Sequence, residues 1–159
     1  MANKKSPHLA FSIKYRGIAK ELTSESEIIN PLNNQRKKYK AIWDTGATHT
    51  VITPKVLKEL SLIIVDTTTI IGVNSKTEDI QVALFNLLLP LNIEIKNVRG
   101  AVCTIGGDAD ILIGMDIIKF GDLAISNGCG QTLFSFAIPP FENKTDLLEK
   151  ANKTNKNNF

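Results

Sequence analysis

A single acidic residue closes an apolar strand in the stretch AIWDTGATHTVI, residues 41–52. Asp44 follows three apolar residues, and Thr45 and Gly46 turn the chain at once. Its carboxyl group should be partly screened from water, which is costly unless hydrogen bonds or a shared proton stabilise it. Two carboxylates that share one proton can activate a water molecule and protonate a leaving group. The alternative is an Asx-turn acid that only ends a strand.

Other catalytic chemistries lack the residues they need. The chain has two histidines, His8 and His49, so neither a Ser-His-Asp nor a Cys-His arrangement can be assembled, and ligands for a hydrolytic metal centre are missing. Cys103 and Cys129 have no metal-like spacing and are expected to be buried thiols rather than a disulfide. The prediction is therefore a site without metal or cofactor. We interpret His49 as a loop residue or pocket wall rather than a general base.

Composition limits the classes of partner. With 159 residues and 43% hydrophobic content, the chain can form one domain with a proper core. The net charge of +3 is mild, and the lysines form no stripe with interleaved aromatics, so nucleic acid is not an expected partner. The longest apolar run, residues 82–95, is broken by polar residues and a proline, and the N-terminus lacks the apolar block of a signal peptide. We expect no membrane association and a cytoplasmic location.

Apolar and polar residues alternate at 9–15 and 132–138 with the two-residue period of half-buried strands, and from Ile63 onward a high content of β-branched residues favours further strands. Helices are predicted at 54–60, where Thr53 is the expected cap and Pro54 the first helical residue, and at 115–120. Residues 21–38 are interpreted as a loop with at most a short strand. We assign 1–141 to one domain and 142–159 to an Asn/Lys-rich tail that is a weak helix or disordered. Strands are predicted at 9–15, 39–43, 51–52, 63–73, 76–89, 92–105, 111–113, 122–126 and 132–138.

The residues around Asp44 resemble a known family. The stretch Asp44-Thr45-Gly46-Ala47 is followed downstream by the triplet Leu112-Ile113-Gly114, with a predicted hairpin between them. This conjunction is similar to retropepsin-type aspartic proteases, and DILIGMDII at 110–118 is closest to the cellular and bacterial branch. The resemblance extends over roughly residues 8–138. It implies an all-β fold: a closed barrel with two short helices and one lobe per chain.

The same resemblance implies an aspartic endopeptidase. This chain has one Asp-Thr-Gly and is too short for two lobes, so the enzyme would be a homodimer in which the two copies of Asp44 meet across a two-fold axis. Thr45 matches the position whose hydroxyl bonds across that axis. Gly46 matches the glycine that makes the tight turn and can donate its N–H to the carboxylate.

The family pattern also indicates the substrate site. Val51 and Leu112 match pocket-lining positions, which implies protein or peptide substrates with apolar side chains near the scissile bond. The hairpin tip at Gly72 to Lys76 would be a flap that closes over the substrate, and Gly114 would let a crossing strand approach the catalytic loop. The resemblance assigns substrate contacts to Ala47, Thr48, Val51, Gly72, Val73, Asn74, Leu112 and Ile113.

Departures from the pattern leave alternatives open. Thr48 and His49 stand where the viral motif has acids, so a carboxylate that binds substrate backbone is missing. Ala47 has no hydroxyl to offer the ionised acids, and we expect activity nearer to neutral pH than in relatives with serine there. A catalytically silent peptide-binding module is the main alternative, and a dormant form with a terminal segment in the cleft is another. Asp116 is interpreted as a first-turn acid favoured by the helix dipole, the alternative being a pairing near the dimer contact.

Overall fold

The computed structural model describes residues 7–71 and 76–156. Within those residues no helix combines the length and the apolar character needed to cross a membrane. The helices are α1 (Pro54–Glu59), α2 (Met115–Ile118) and α3 (Leu147–Lys156), with short 3-10 turns at Pro90–Asn92 and Gly128–Gly130. The strands are β1 (Leu9–Lys14), β2 (Thr23–Ile29), β3 (Arg36–Trp43), β4 (Val51–Ile52), β5 (Ile64–Ile71), β6 (Lys76–Leu89), β7 (Ile93–Val102), β8 (Ile111–Ile113), β9 (Asp122–Ser126) and β10 (Leu133–Ile138).

Six of these strands close into a barrel. Neighbours pair in the order β2-β3-β8-β4-β7-β6, and a further pairing between β2 and β6 closes the ring. β5 continues the sheet outside the ring by pairing antiparallel with β6. β1, β10 and β9 form a separate three-stranded antiparallel sheet. The predicted all-β fold with a closed barrel is confirmed.

The interpretation of residues 21–38 as a loop is wrong. They contain all of β2 and the start of β3, which pair from Thr23 with Ile42 to Ile29 with Arg36. β2 is easily missed because its inward positions include two small polar residues, Ser24 and Ser26, both buried. Their hydroxyls bond to each other at 3.1 Å, so these polar groups are satisfied in the core.

An aromatic cluster joins the two sheets. Phe11 of β1 and Phe134 and Phe136 of β10 surround Trp43, with ring centroids 5.0 to 5.9 Å from the Trp43 ring. The Trp43 Nε1–H donates to the hydroxyl of Ser24 at 3.0 Å, which satisfies the one polar atom of the indole. These contacts hold Trp43, the residue directly before Asp44, in the core.

Several smaller expectations need correction. Thr53 stands at the N-cap of α1 as predicted, but its hydroxyl caps no backbone N–H and donates to Asp110 Oδ1 at 2.9 Å instead. Both cysteines are free, but Cys129 is exposed rather than buried. Cys103 is half-buried, and this burial raises the pKa of its thiol. The tail carries helix α3, which has no buried residue; the division into a domain and a tail stays a prediction.

Candidate active site

The loop that carries Asp44 owes its shape to strand order. β8 lies between β3 and β4, parallel to the first, with Trp43 opposite Ile113, and antiparallel to the second, with Val51 opposite Leu112. The chain therefore leaves β3, passes over the end of β8 and returns on the other side as β4. Residues 44–50 form the connection between β3 and β4. The two predicted motifs meet because this loop, which carries Asp44, crosses the end of β8, which leads into Gly114.

Asp44 is half-buried, and hydrogen bonds hold both its backbone and its carboxylate. Its N–H donates to the carbonyl of Ile113 at 3.0 Å, which continues the β3–β8 pairing by one residue. Its Oδ1 accepts the N–H of Gly46 at 2.8 Å, and its carbonyl accepts the N–H of Ala47 at 3.3 Å. A carboxylate stabilised by a backbone N–H in a fixed turn has a defined orientation, which general acid–base chemistry needs.

Gly114 lies directly beneath this loop. A Cβ atom added to it would be 2.6 Å from the backbone carbon and oxygen of His49 and 3.0 Å from the carbonyl oxygen of Ala47. Its φ of −96° is open to any residue, so the requirement for glycine is one of space rather than of backbone conformation. The close approach of the crossing loop to the end of β8 depends on the missing side chain.

Thr50 and Asp116 tie the far end of the loop to α2. The fully buried Thr50 donates its N–H to Asp116 Oδ2 at 2.9 Å and its hydroxyl to Asp116 Oδ1 at 2.8 Å. The same hydroxyl accepts the N–H of Gly114 at 3.2 Å. Asp116 does lie in the first turn of α2, but the helix dipole is not its main partner. Sequence reasoning did not single out Thr50, although a polar residue directly before an apolar pair is a usable signal.

Backbone contacts complete the attachment. The N–H of Met115 donates to the carbonyl of Ala47 at 2.8 Å, and the N–H of Asp116 donates to the carbonyl of Thr48 at 3.1 Å. The first N–H groups of a helix have no partner within the helix, so the loop supplies the acceptors that α2 lacks. Asp44, Gly114 and α2 therefore form one connected unit.

The predicted substrate residues differ in their exposure and in whether the structure describes them. Val51 and Leu112 are both half-exposed and lie opposite each other across β4 and β8. Ala47 is half-exposed and Thr48 is exposed on the loop. Ile113 is different, because its side chain is fully buried in the barrel core and does not share the surface of Leu112. Gly72, Val73 and Asn74, the predicted flap residues, lie outside the described residues.

A groove lies beside the loop rather than over it. It has a volume of about 450 Å³ and runs between β5, β7 and α2, with His49, Asp116 and Lys119 among its lining residues. Asp44 is not part of its lining. As for metal, residues 7–71 and 76–156 contain no group of three His, Cys, Asp or Glu side chains close enough to hold an ion.

Comparison with known families agrees with this geometry. Residues 31–119 match the family described as gag-polyprotein putative aspartyl protease, more than half of the 159 residues. The chain belongs to this aspartyl protease family. The matched part of the aspartyl protease domain contains the Asp44 loop, β8 and α2, the unit described above. β1, β9 and β10, which form the three-stranded sheet, lie outside the match.

Solved structures show the same fold. A retropepsin-like aspartic protease from Rickettsia conorii is 20% identical, with a TM-score of 0.50, and the alignment covers 84% of this chain and 97% of that one. The EIAV protease, solved with the inhibitor HBY-793, is 22% identical, with a TM-score of 0.51 and coverage of 66% and 90%. No curated protein matches the chain significantly. The retropepsin-like fold predicted from the two motifs is confirmed, with one lobe in this chain.

Proposed function

We propose that the protein is an aspartic endopeptidase that acts as a homodimer, with Asp44 of each chain as the catalytic pair. One observation carries the proposal: Asp44 is held by Ile113 and Gly46 in the loop that crosses β8, and the next two residues, Thr45 and Gly46, are exposed. A single lobe thus presents one oriented carboxylate at its surface. A second copy related by two-fold symmetry would supply the other carboxylate.

Two carboxylates in contact cannot both ionise easily, so the pair would hold one proton. The ionised Asp44 takes a proton from a water molecule as that water attacks the peptide carbonyl. The protonated Asp44 of the other chain gives its proton to the carbonyl oxygen, and the pair then delivers a proton to the leaving amine. The N–H of Gly46 holds each carboxylate in position through these transfers, and Thr45 would bond across the two-fold axis.

The substrate proposed is a polypeptide with apolar side chains near the scissile bond. Val51 and Leu112 support this class, because both are apolar and half-exposed next to the loop. Ala47 and Thr48 would contact the substrate from the loop itself.

Cleavage of a broad peptide library, read by mass spectrometry, tests the proposal. The native protein should cut peptides, and Asp44→Asn should abolish cutting, because an amide can neither accept nor donate the proton that the reaction needs. The thermal unfolding temperature should stay nearly unchanged, because asparagine has the shape of aspartate. Asp108→Asn is the matched control: Asp108 is an exposed carboxylate paired with Lys40, and its variant should cut normally.

The dimer needs its own measurement. Analytical ultracentrifugation should show a dimer whose dissociation follows the loss of specific activity on dilution. A protein that stays monomeric at high micromolar concentration would overturn the catalytic pair. Peptide binding that is equal in the native protein and in Asp44→Asn, without cleavage by either, would identify the silent binding module instead.

A further inference from the structure

The groove beside the active loop has the position of an extended subsite. His49, one of its lining residues, comes five residues after Asp44 in the same loop, and Asp116, another, is bonded to Thr50 at the end of that loop. An extended peptide advances ~3.3 Å per residue. A substrate that lies across Asp44 and continues past His49 would reach the groove several residues away from the scissile bond.

The charges that line the groove are not balanced. Three cationic side chains, Lys96, Arg99 and Lys119, line it together with two carboxylates, Asp66 and Asp116. Both carboxylates are already engaged. Asp66 accepts Arg99 Nη2 at 2.5 Å, and Asp116 accepts the two hydrogen bonds from Thr50. The Arg99–Asp66 ion pair is neutral overall, and the hydrogen bonds from Thr50 orient Asp116 without neutralising it, so three cations against two carboxylates leave the lining an excess of one positive charge.

Lys119 is the cation best placed for a ligand. Within the described residues it takes part in no ion pair, and its Nζ lies 5.6 Å from the ring centroid of Phe120. An ammonium group at that distance from an aromatic face is attracted to it, which favours a position at the groove rim. Lys96 is only loosely paired, since its Nζ is 3.8 Å from Glu94.

The floor of the groove is apolar. Val82 and Ile117 line it and are nearly fully buried, and the ring of Phe120 lines it while 49% of that residue is exposed. A floor of this kind suits the methylene groups of a long side chain, and a cationic rim suits a negative charge at its end. Glutamate combines the two features, and aspartate does so with a shorter stem.

We propose that this groove is a distal specificity subsite that binds an acidic side chain of the polypeptide substrate, with Lys119 as its main partner and Lys96 as a secondary one. The inference rests on the proposed endopeptidase function, because it places the occupant on the same peptide that crosses Asp44. Lys119 would act on substrate selection alone, since it touches neither the loop hydrogen bonds nor Asp44.

Binding to the Asp44→Asn protein tests the subsite without cleavage. The probes are fluorescent peptide pools about twelve residues long, with a central pair of apolar residues and one Glu, Gln or Lys placed at varied distances from it. Fluorescence anisotropy should show, at one spacing, that the Glu pool binds roughly two- to fivefold more tightly than the Gln pool, the range expected of a solvent-exposed ion pair. The preference should shrink as salt is raised.

Charge variants identify the partner. Lys119→Gln should erase the Glu preference, and Lys119→Glu should transfer it to the Lys pool. Lys58→Gln is the matched control, since Lys58 is an exposed lysine on α1 away from the groove, and it should keep the native preference. Thermal unfolding of each variant checks the fold. A Glu preference that survives both Lys119 variants, or equal binding of all three pools, would overturn the subsite.

Cleavage kinetics of the native protein test this inference and the endopeptidase proposal separately. If both hold, the acidic residue should lower KM of a cleaved peptide and leave kcat unchanged, as expected for uniform binding. Cleavage with no effect of the distal acid would overturn the subsite alone. A Glu preference in binding, without cleavage by the native protein, would keep the subsite and overturn the endopeptidase.

Discussion

Thr50 donates two hydrogen bonds to Asp116, from its backbone N–H at 2.9 Å and from its hydroxyl at 2.8 Å. Thr50 ends the Asp44 loop and Asp116 is the second residue of α2, so this pair joins the two motifs at the end of the loop opposite to Asp44 and Ile113. Thr50 is fully buried and Asp116 is half-buried, so both bonds are partly shielded from water. The loop is therefore clamped at both ends, which gives the single Asp44 a fixed direction.

Thr50→Val should destabilise the protein. The change keeps the side-chain shape but removes the hydroxyl, which leaves the N–H of Gly114 without its partner. Asp116 Oδ1 loses one of its two hydrogen bonds and keeps the one from the N–H of Ile117. We expect the free energy of unfolding to fall by about 1–3 kcal/mol, the cost of unsatisfied buried polar groups. Urea denaturation measures it, and Thr50→Ser, which keeps the hydroxyl, is the control. Equal losses in both variants would contradict the role given to the hydroxyl.

Gly114→Ala should push the crossing loop away from β8. The new Cβ would stand 2.6 Å from the His49 backbone, which cannot move aside as a flexible side chain could. We expect a loss of about 1–3 kcal/mol in unfolding free energy, typical of overpacking, together with loss of cleavage. Gly128→Ala is the control, since a Cβ there meets nothing within 4 Å. Normal stability of Gly114→Ala would refute the close approach.

Thr45→Val should weaken the proposed dimer while leaving the monomer folded. Thr45 is exposed on the loop, and its hydroxyl is proposed to bond across the two-fold axis. Two hydroxyls are lost per dimer, each worth about 1 kcal/mol, so the dissociation constant should rise by roughly thirtyfold. Sedimentation and the concentration dependence of specific activity measure it. Thr45→Ser should behave like the native protein, and a Val variant with unchanged dissociation would argue against this contact.

Glu59 should make stability depend on acid pH. Its carboxylate accepts the hydroxyl of Tyr39 at 2.8 Å and Lys37 Nζ at 3.0 Å, and these bonds lower the pKa of Glu59. A lowered folded-state pKa means that the contribution is present above the unfolded pKa and is lost as pH falls through the folded one. Glu59→Gln should therefore melt at a lower temperature than the native protein at neutral pH. The gap should narrow below about pH 4.

The control for this pH dependence is Glu21→Gln. Glu21 is also exposed, and its melting curve should follow the native one at every pH. A constant gap between the native protein and Glu59→Gln from neutral to acid pH would show that the ionised form of Glu59 is not what stabilises α1 against β3.

Part of the fold could be predicted from interactions between residues that are close in sequence. The alternation in β1 and β10, the proline at the start of α1, and each of the two motifs taken by itself depend on residues near each other in sequence. β2 was not predicted because its inward positions hold two small polar residues, Ser24 and Ser26. Ser24 is satisfied there by a hydrogen bond from Trp43 in the neighbouring strand. The apolar alternation that marks the other strands is absent at these two positions, and the bond from Trp43 that helps to satisfy Ser24 comes from a residue 19 positions away.

For the site, the amino-acid sequence by itself determined that an acid would end an apolar strand, that a glycine would follow within the turn, and that a second apolar-glycine motif stood downstream. Only the tertiary structure decided that the loop crosses β8, that Thr50 clamps it to Asp116, and that Lys119 stands beside a groove. The reason is physical: these relations join residues about fifty to seventy positions apart, and strand order in the barrel brings them together.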